Sequence, residues 1–396
     1  MAEQSPDKAL IELTQALVRI PSENPNGDEV ALGRFVQGWL EASNIETEVR
    51  PVEGERANII GRVRGKAGPP LVLLAHLDTV PIGDRGKWQH DPFGGEIEDG
   101  YLYGRGACDM KSGLAAAMLT LANIRRAVEE EGLQLSGDLV LACTVDEEEA
   151  FMKGSEALGR EKVFGPEAFL LTMEPTNCQL NIAHKGAFWY EVSFFGKGAH
   201  AANPQVGLDA NRAMAEAVLG WYEQMEKTAA EIVPHPLLGR PTLIVSRLEG
   251  GIKTNIVAEF CRAEIDMRVP PPMTSEQVDA LVRGVAEQVA NKYKVKYEMR
   301  FMTALRPPVE CHPDSPLLAA FDRAYQTVTG QPAAHLGFTA YTDAAMLAVL
   351  TGNPNSVVFG PGLLSDAHTT DERVEISQLF TVARVLEATA RELLAE

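Results

Sequence analysis

The chain has 396 residues, 45% of them apolar, and its 55 acidic and 36 basic side chains leave a net charge of −19 with the histidines neutral. That length predicts two domains with ample apolar material for a core, and a 23% charged fraction excludes wholesale disorder. A surface this acidic, with no basic patch, repels phosphate backbones and anionic lipid heads, so neither nucleic acid nor membrane is expected as a partner.

The opening, Met1-Ala2-Glu3-Gln4-Ser5-Pro6-Asp7, has neither a basic nor an apolar region, and no apolar run nears the ~20 residues of a membrane span. No export leader is expected. Helical spacing follows, first through Leu10, Ile11, Leu13, Leu17 and Ile20, then through Leu32, Phe35, Val36, Trp39 and Leu40. Continuous apolar runs at 71–75, 139–142 and 169–171 predict buried strands, with a long helix over 112–128 between the first two. Such alternation predicts a mixed, mostly parallel sheet with helices on both faces.

The pattern changes at Lys185. Residues 188–195 alternate as a half-buried strand, followed by a helix over 208–225, strands over 242–248 and 258–269, a helix over 275–292 and a strand over 295–302. Strand-helix-strand-strand-helix-strand is the ferredoxin-like split β-α-β pattern, four strands with two helices on one face. The proline-rich stretch from Arg306 to Pro316 reads as a return linker. Helix and strand then alternate again at 317–327, 343–350, 356–359 and 376–394. The expected organisation is a discontinuous α/β domain at 1–184 and 303–396 carrying an inserted α+β domain at 185–302. Cys108, Cys143, Cys178, Cys261 and Cys311 lie far apart with no Cys-x-x-Cys pair. That spacing predicts a reduced, cytoplasmic protein rather than a disulfide framework or a thiolate zinc site.

Chemistry-bearing residues collect where predicted strands end. His76-Leu77-Asp78 closes the run 71–75. On an extended segment these two side chains share a face, so Asp78 can orient the imidazole of His76 towards a metal, or the pair can make ordinary polar contacts. Gly104-Arg105-Gly106-Ala107-Cys108-Asp109 opens the long helix. Asp109 stands where a dinucleotide loop needs glycine, so it reads either as a helix cap or as a ligand. Asp146-Glu147-Glu148-Glu149 follows the run 139–142, and Glu174 follows 169–171. Finally, Gly360-Pro361-Gly362 through Ala367-His368 to Asp371-Glu372 follows 356–359. In an α/β sheet such ends form the ligand crevice. Imidazole and carboxylate donors without thiolates suit zinc, cobalt or manganese, and enough of them for two ions with one shared carboxylate suits a two-metal hydrolase.

At these motifs, in this order and over nearly the whole chain, the sequence resembles the di-zinc amidohydrolases and exopeptidases that include acetylornithine deacetylase, succinyl-diaminopimelate desuccinylase, aminoacylase and carboxypeptidase G. The resemblance implies a catalytic domain with an inserted dimerisation lid and two divalent ions, zinc or else cobalt or manganese. It implies that His76, Asp109 and Glu174 hold one ion and Asp109, Glu148 and His368 the other, with Asp78 behind His76 and a cis peptide after Asp109. Glu147 is then the general base that activates water and passes its proton to the leaving amine. Glu149 lies outside the pattern and reads as solvated.

In the inserted domain, Gly198-Ala199-His200 resembles the lid segment whose histidine crosses a homodimer interface to the partner's developing oxyanion. Asn255 and Arg268 resemble the residues that hold a substrate carboxylate, although Arg268 also suits a strand-face pair with Asp266 or Glu264. Of the remaining histidines, His184 is expected nearest the site because it borders the lid hinge. The glutamate at position 174 is similar to deacylases and carboxypeptidase-like members, where other members carry aspartate. Ala340-Tyr341 departs from the Gly-Thr that relatives place before a Thr/Ser-Asp pair. The function so implied is hydrolysis of the amide bond of small N-acyl amino acids in amino-acid metabolism. A dipeptidase or carboxypeptidase acting on short peptides is the alternative.

Overall fold

Four apolar strands lie side by side and parallel in the computed structural model, which describes residues 6–25 and 29–396. The reading of the opening residues 1–5 falls outside the described part. In order across the sheet the four are Gly137–Thr144, Gly68–His76, Phe169–Thr172 and Ser356–Val358. They are flanked by antiparallel neighbours: Arg56–Val63 and then Glu46–Glu53 on one side, and Leu180–His184 on the other.

The continuous hydrophobicity of the central strands has a direct cause. Leu71, Leu73, Ala75, Leu139, Leu141 and Leu171 face one core, while Val72, Leu74, Val140, Ala142 and Leu170 face another on the opposite side. Successive side chains alternate between faces, and both faces are covered, so both must be apolar. The helices Pro6–Val18, Glu29–Ala42, Lys111–Arg126, Pro316–Thr329 and Ile376–Leu394 contribute to the first core, and Lys153–Arg160 and Asp343–Thr351 to the second. Each fully buried Leu or Val here contributes about 1.5–3 kcal/mol.

The strand Glu46–Glu53, with sequence ETEVRPVE, has no apolar run to betray it. It is an exposed outer strand pairing with Arg56–Val63 on one side, and its register shifts beside Pro51. At a sheet edge, charge and proline are tolerated and also discourage further pairing. No helix among the described residues is long and apolar enough to cross a membrane, and all five cysteines are buried and unbridged.

The chain divides into two compact units. The first comprises the described residues up to Ala183 together with Glu310–Phe338 and Thr342–Glu396, and the second comprises His184–Val309 with Thr339–Tyr341. In the second, the strands Thr242–Gly250, Phe260–Val269, Gly186–Phe195 and Lys296–Phe301 form one antiparallel sheet in that order. The helices Ala210–Glu231 and Ser275–Tyr293 share a core with the sheet, and Trp221 donates its indole N–H to the Val282 carbonyl at 3.0 Å. Asp209 caps the first helix, and Thr274 with Gln277 forms a capping box on the second.

The proline-rich return is packed structure rather than linker. Arg306 is fully buried within the second unit, its carbonyl accepting from Ala187 N at 2.9 Å. Its guanidinium lies 4.0 Å from the Tyr341 ring centroid and 5.4 Å from that of Trp189. A charged group is buried here because aromatic faces receive it, which hydropathy alone does not reveal.

Candidate metal centre

The parallel register sets the strand ends level. His76 pairs with Thr144, and Thr172 pairs with both Leu74 and Val358. The segments leaving these strands therefore emerge on one edge: His76-Leu77-Asp78, Asp146-Glu147-Glu148, Glu174 and the loop to His368. Glycine at 360 lets two of them meet, since a Cβ there would fall 2.4 Å from the carbonyl oxygens of Met173 and Glu174.

Asp109 arrives from the loop before the helix Lys111–Arg126. It does not cap that helix; Met110 holds the cap position with no side-chain cap bond. The Asp109–Met110 peptide is cis. One oxygen of the Asp109 carboxylate lies 3.0 Å from His76 Nε2 and the other 3.4 Å from His368 Nε2. His368, in a left-handed backbone conformation with φ 62°, also meets Glu148 Oε1 at 3.0 Å. His76, Asp109 and Glu174 form one group, and Asp109, Glu148 and His368 a second, with the donor atoms of each group within 4.8 Å of one another.

His76 Nδ1 donates to the backbone carbonyl of Asp78 at 2.9 Å, and the nearest oxygen of the Asp78 carboxylate is further, at 3.8 Å. This differs from the expected carboxylate-to-imidazole pairing. The reason is that the Asp78 carboxylate is engaged elsewhere: Oδ1 accepts from Glu147 N at 3.1 Å, and Oδ2 from Glu148 N at 3.0 Å and Asn24 Nδ2 at 2.5 Å. Asp78 thus orients the imidazole through its main chain and holds the Glu147-Glu148 turn through its side chain. Asp146, at φ 70°, secures that turn from the other side through Arg56 Nη2 at 2.6 Å. Glu149 is half-buried rather than fully solvated.

With protein charges alone, burial pushes Glu147 and Glu174 well above the usual carboxylate range, and Glu148 up as well. Neighbouring carboxylates add to each shift: Asp343, Glu148 and Asp78 for Glu147, and Asp109 first for Glu174 and Glu148. His368 is pushed up to about 10, chiefly by its bonds to Asp109 and Glu148. Buried acids crowded around two imidazoles call for further positive charge, so this oxygen-and-nitrogen donor set fits a pair of divalent cations.

Three further partners of the centre stand outside the residues that the sequence singles out as ligands or base. Asn24 acts on the Asp78 carboxylate from a loop far upstream, Arg56 reaches Asp146 from another strand, and Asp343 Oδ2 accepts from Thr144 Oγ1 at 2.5 Å. In the second unit, His200 is exposed, its Nδ1 accepting from Ala202 N at 3.1 Å, and Ala201 N donates to the Asn255 carbonyl at 3.0 Å. His200 and Asn255 therefore lie on neighbouring segments. Arg268 forms the strand-face pair with Asp266, at 2.8 and 3.0 Å, and lies 5.6 Å from the Tyr341 ring. His184 is buried, with Nδ1 on the Lys185 carbonyl at 3.1 Å.

The sequence profile of peptidase family M20/M25/M40 matches residues 72–392. The chain is 28% identical over 379 residues to acetylornithine deacetylase of Pectobacterium carotovorum subsp. carotovorum, covering 92% of each. Among solved structures it is similar to an M20 family metallo-carboxypeptidase from Sulfolobus solfataricus, with TM-score 0.78, 16% identity and 99% of each chain covered. It is also similar to a dinuclear metal binding peptidase of the M20 family from Bacillus subtilis, with TM-score 0.73, 18% identity and 99% of each chain covered.

Proposed function

Because the chain belongs to peptidase family M20/M25/M40 and is a metal-dependent hydrolase, we propose that it cleaves the amide bond of N-acyl amino acids with Glu147 as general base. The observation that carries this reading is the Asp109 carboxylate, which offers one oxygen to each of two imidazole-carboxylate groups. In this reading His76, Asp109 and Glu174 hold one divalent ion, and Asp109, Glu148 and His368 hold a second. Zinc is the first choice, and cobalt and manganese suit the same donors. The bound cations supply water of lowered pKa and polarise the substrate carbonyl.

The chain's own residues do the rest. Glu147 takes the proton of the attacking water on its side-chain carboxylate and releases it to the amide nitrogen as the amine leaves. Asp78 keeps Glu147 and Glu148 in place through their backbone N–H groups. Asn255 and Arg268 bind the substrate carboxylate, for which Arg268 exchanges its Asp266 partner.

The deacylase reading is supported by the acetylornithine deacetylase relative and by glutamate at position 174. The inserted unit acts as a lid in a cytoplasmic homodimer, with His200 of one copy serving the site of the other. Sedimentation of the active enzyme tests this: a fully active monomer removes His200 from that role.

The substrate is tested by offering the metal-loaded enzyme a panel of N-acetyl and N-succinyl amino acids beside dipeptides and reading released amine. Turnover of the acyl amino acids is expected, and preference for dipeptides would favour the peptidase alternative. As a control, Glu147→Ala should lower kcat by about 10²–10⁴-fold with bound metal near normal. Unchanged hydrolysis would remove Glu147 from its role.

A further inference from the structure

Glu372 lies four residues beyond His368, fully buried, and belongs to neither donor group. Its Oε1 accepts two successive backbone N–H groups, from Cys108 at 2.9 Å and from Asp109 at 3.0 Å. Its Oε2 meets the guanidinium of Arg105, and its carbonyl accepts from Gly104 N at 2.9 Å. Arg105 is itself buried, with Nη2 on the Pro81 carbonyl at 3.2 Å and the guanidinium 5.2 Å from the Trp88 ring centroid. One ion pair therefore ties together the loops that carry His76 and Asp78, Asp109, and His368.

This arrangement bears on geometry more than on stability. A buried ion pair adds little net stability over apolar side chains of like volume, but it fixes the relative register of the segments it joins. The Cys108 and Asp109 N–H groups set the direction in which the Asp109 side chain leaves the backbone. A small rotation there would draw its oxygens away from His76 and His368 together. Charge-assisted bonds to both N–H groups resist that rotation.

We propose that Glu372, backed by Arg105, is a positioning residue that aims the Asp109 carboxylate at both ion sites and holds the His368 loop in register with it. The proposal rests on the two-ion reading of the centre. It is tested by titrating the metal-free protein with zinc against a chromophoric chelator, alongside the melting temperature of the metal-free form.

Glu372→Asp keeps the charge but shortens the side chain. It should weaken zinc binding by about tenfold or more, the range for loss of a partner behind a ligand, with little change in melting. A variant that binds zinc as tightly as the parent and only melts earlier would show a purely structural role and overturn the proposal. Should that variant not fold, Arg105→Met with Glu372→Leu removes both charges together and reads the same quantity. Weakening of about tenfold again supports the proposal, and parental affinity overturns it. A parent chain that binds no zinc refutes the two-ion reading, and the proposal falls with it. A parent that binds two zinc ions beside unaffected variants refutes the proposal alone.

Discussion

Two charged regions of this molecule differ in how their acids are balanced. On the four-stranded sheet, Arg262 meets Glu249 at 2.7 Å and Glu191 at 3.5 Å, Arg247 meets Glu264 at 3.2 Å, and Arg300 meets Glu191 at 3.3 Å. Arg262 holds Glu249 below the usual carboxylate range. At the ends of the parallel strands, Glu147, Glu148 and Glu174 are all pushed the other way by burial, and the donors of the two groups are carboxylates and imidazoles without a lysine or arginine. A partly exposed ladder balanced by its own arginines needs nothing from solution. A buried cluster short of positive charge is arranged for something that brings it, which separates a structural charge network from a functional one.

The contrast can be broken most directly at Asp109. Asp109→Ala removes a donor common to both groups. It should weaken zinc binding by more than the ~100-fold that loss of an outer partner costs, and hydrolysis should disappear with the metal. Metal analysis after dialysis checks this, and two retained ions would dismiss Asp109 as the shared ligand.

The next effect is in pH. With His368 pushed up to about 10, the metal-free protein carries an imidazolium there at neutral pH, and a cation must displace its proton. Zinc affinity should therefore fall as pH falls, by about tenfold per unit for each proton released. Calorimetry in two buffers of different ionisation enthalpy counts those protons, and a count of zero at pH 7 contradicts the expectation. The stability of the metal-free form runs the opposite way. The raised pKa contributes stability that is fully present below about 6.5 and is lost as pH rises towards about 10. The smallest effect belongs to the partly exposed ladder: Arg262→Ala should leave zinc binding unchanged and the melting temperature nearly so, because ion pairs open to solvent, such as Arg262–Glu249, contribute little. A large loss of zinc there would erase the distinction between the two regions.

Much of this architecture is legible in the amino-acid order. Continuous apolar runs mark the central strands because both their faces are covered, and His76, Glu148, Glu174 and His368 are conspicuous because they follow such runs, whereas Asp109 stands at the opening of a helix. The outer strand Glu46–Glu53 is not legible, since an exposed edge strand keeps no apolar pattern. Nor does proline content distinguish a linker from packed chain around Arg306, whose burial depends on Tyr341 and Trp189.

The residue order by itself determined the fold class and singled out the candidate donors: strand hydrophobicity is a local property, and ligand chemistry belongs to residue types. Only the tertiary structure decided which atoms do the work. The carboxylate of Asp78 turns to the backbone of Glu147 and Glu148 while its carbonyl takes His76, and Glu372 fastens Asp109 from 263 residues away. Such partnerships depend on where backbone N–H groups point once the loops have packed, and every residue type carries the same N–H.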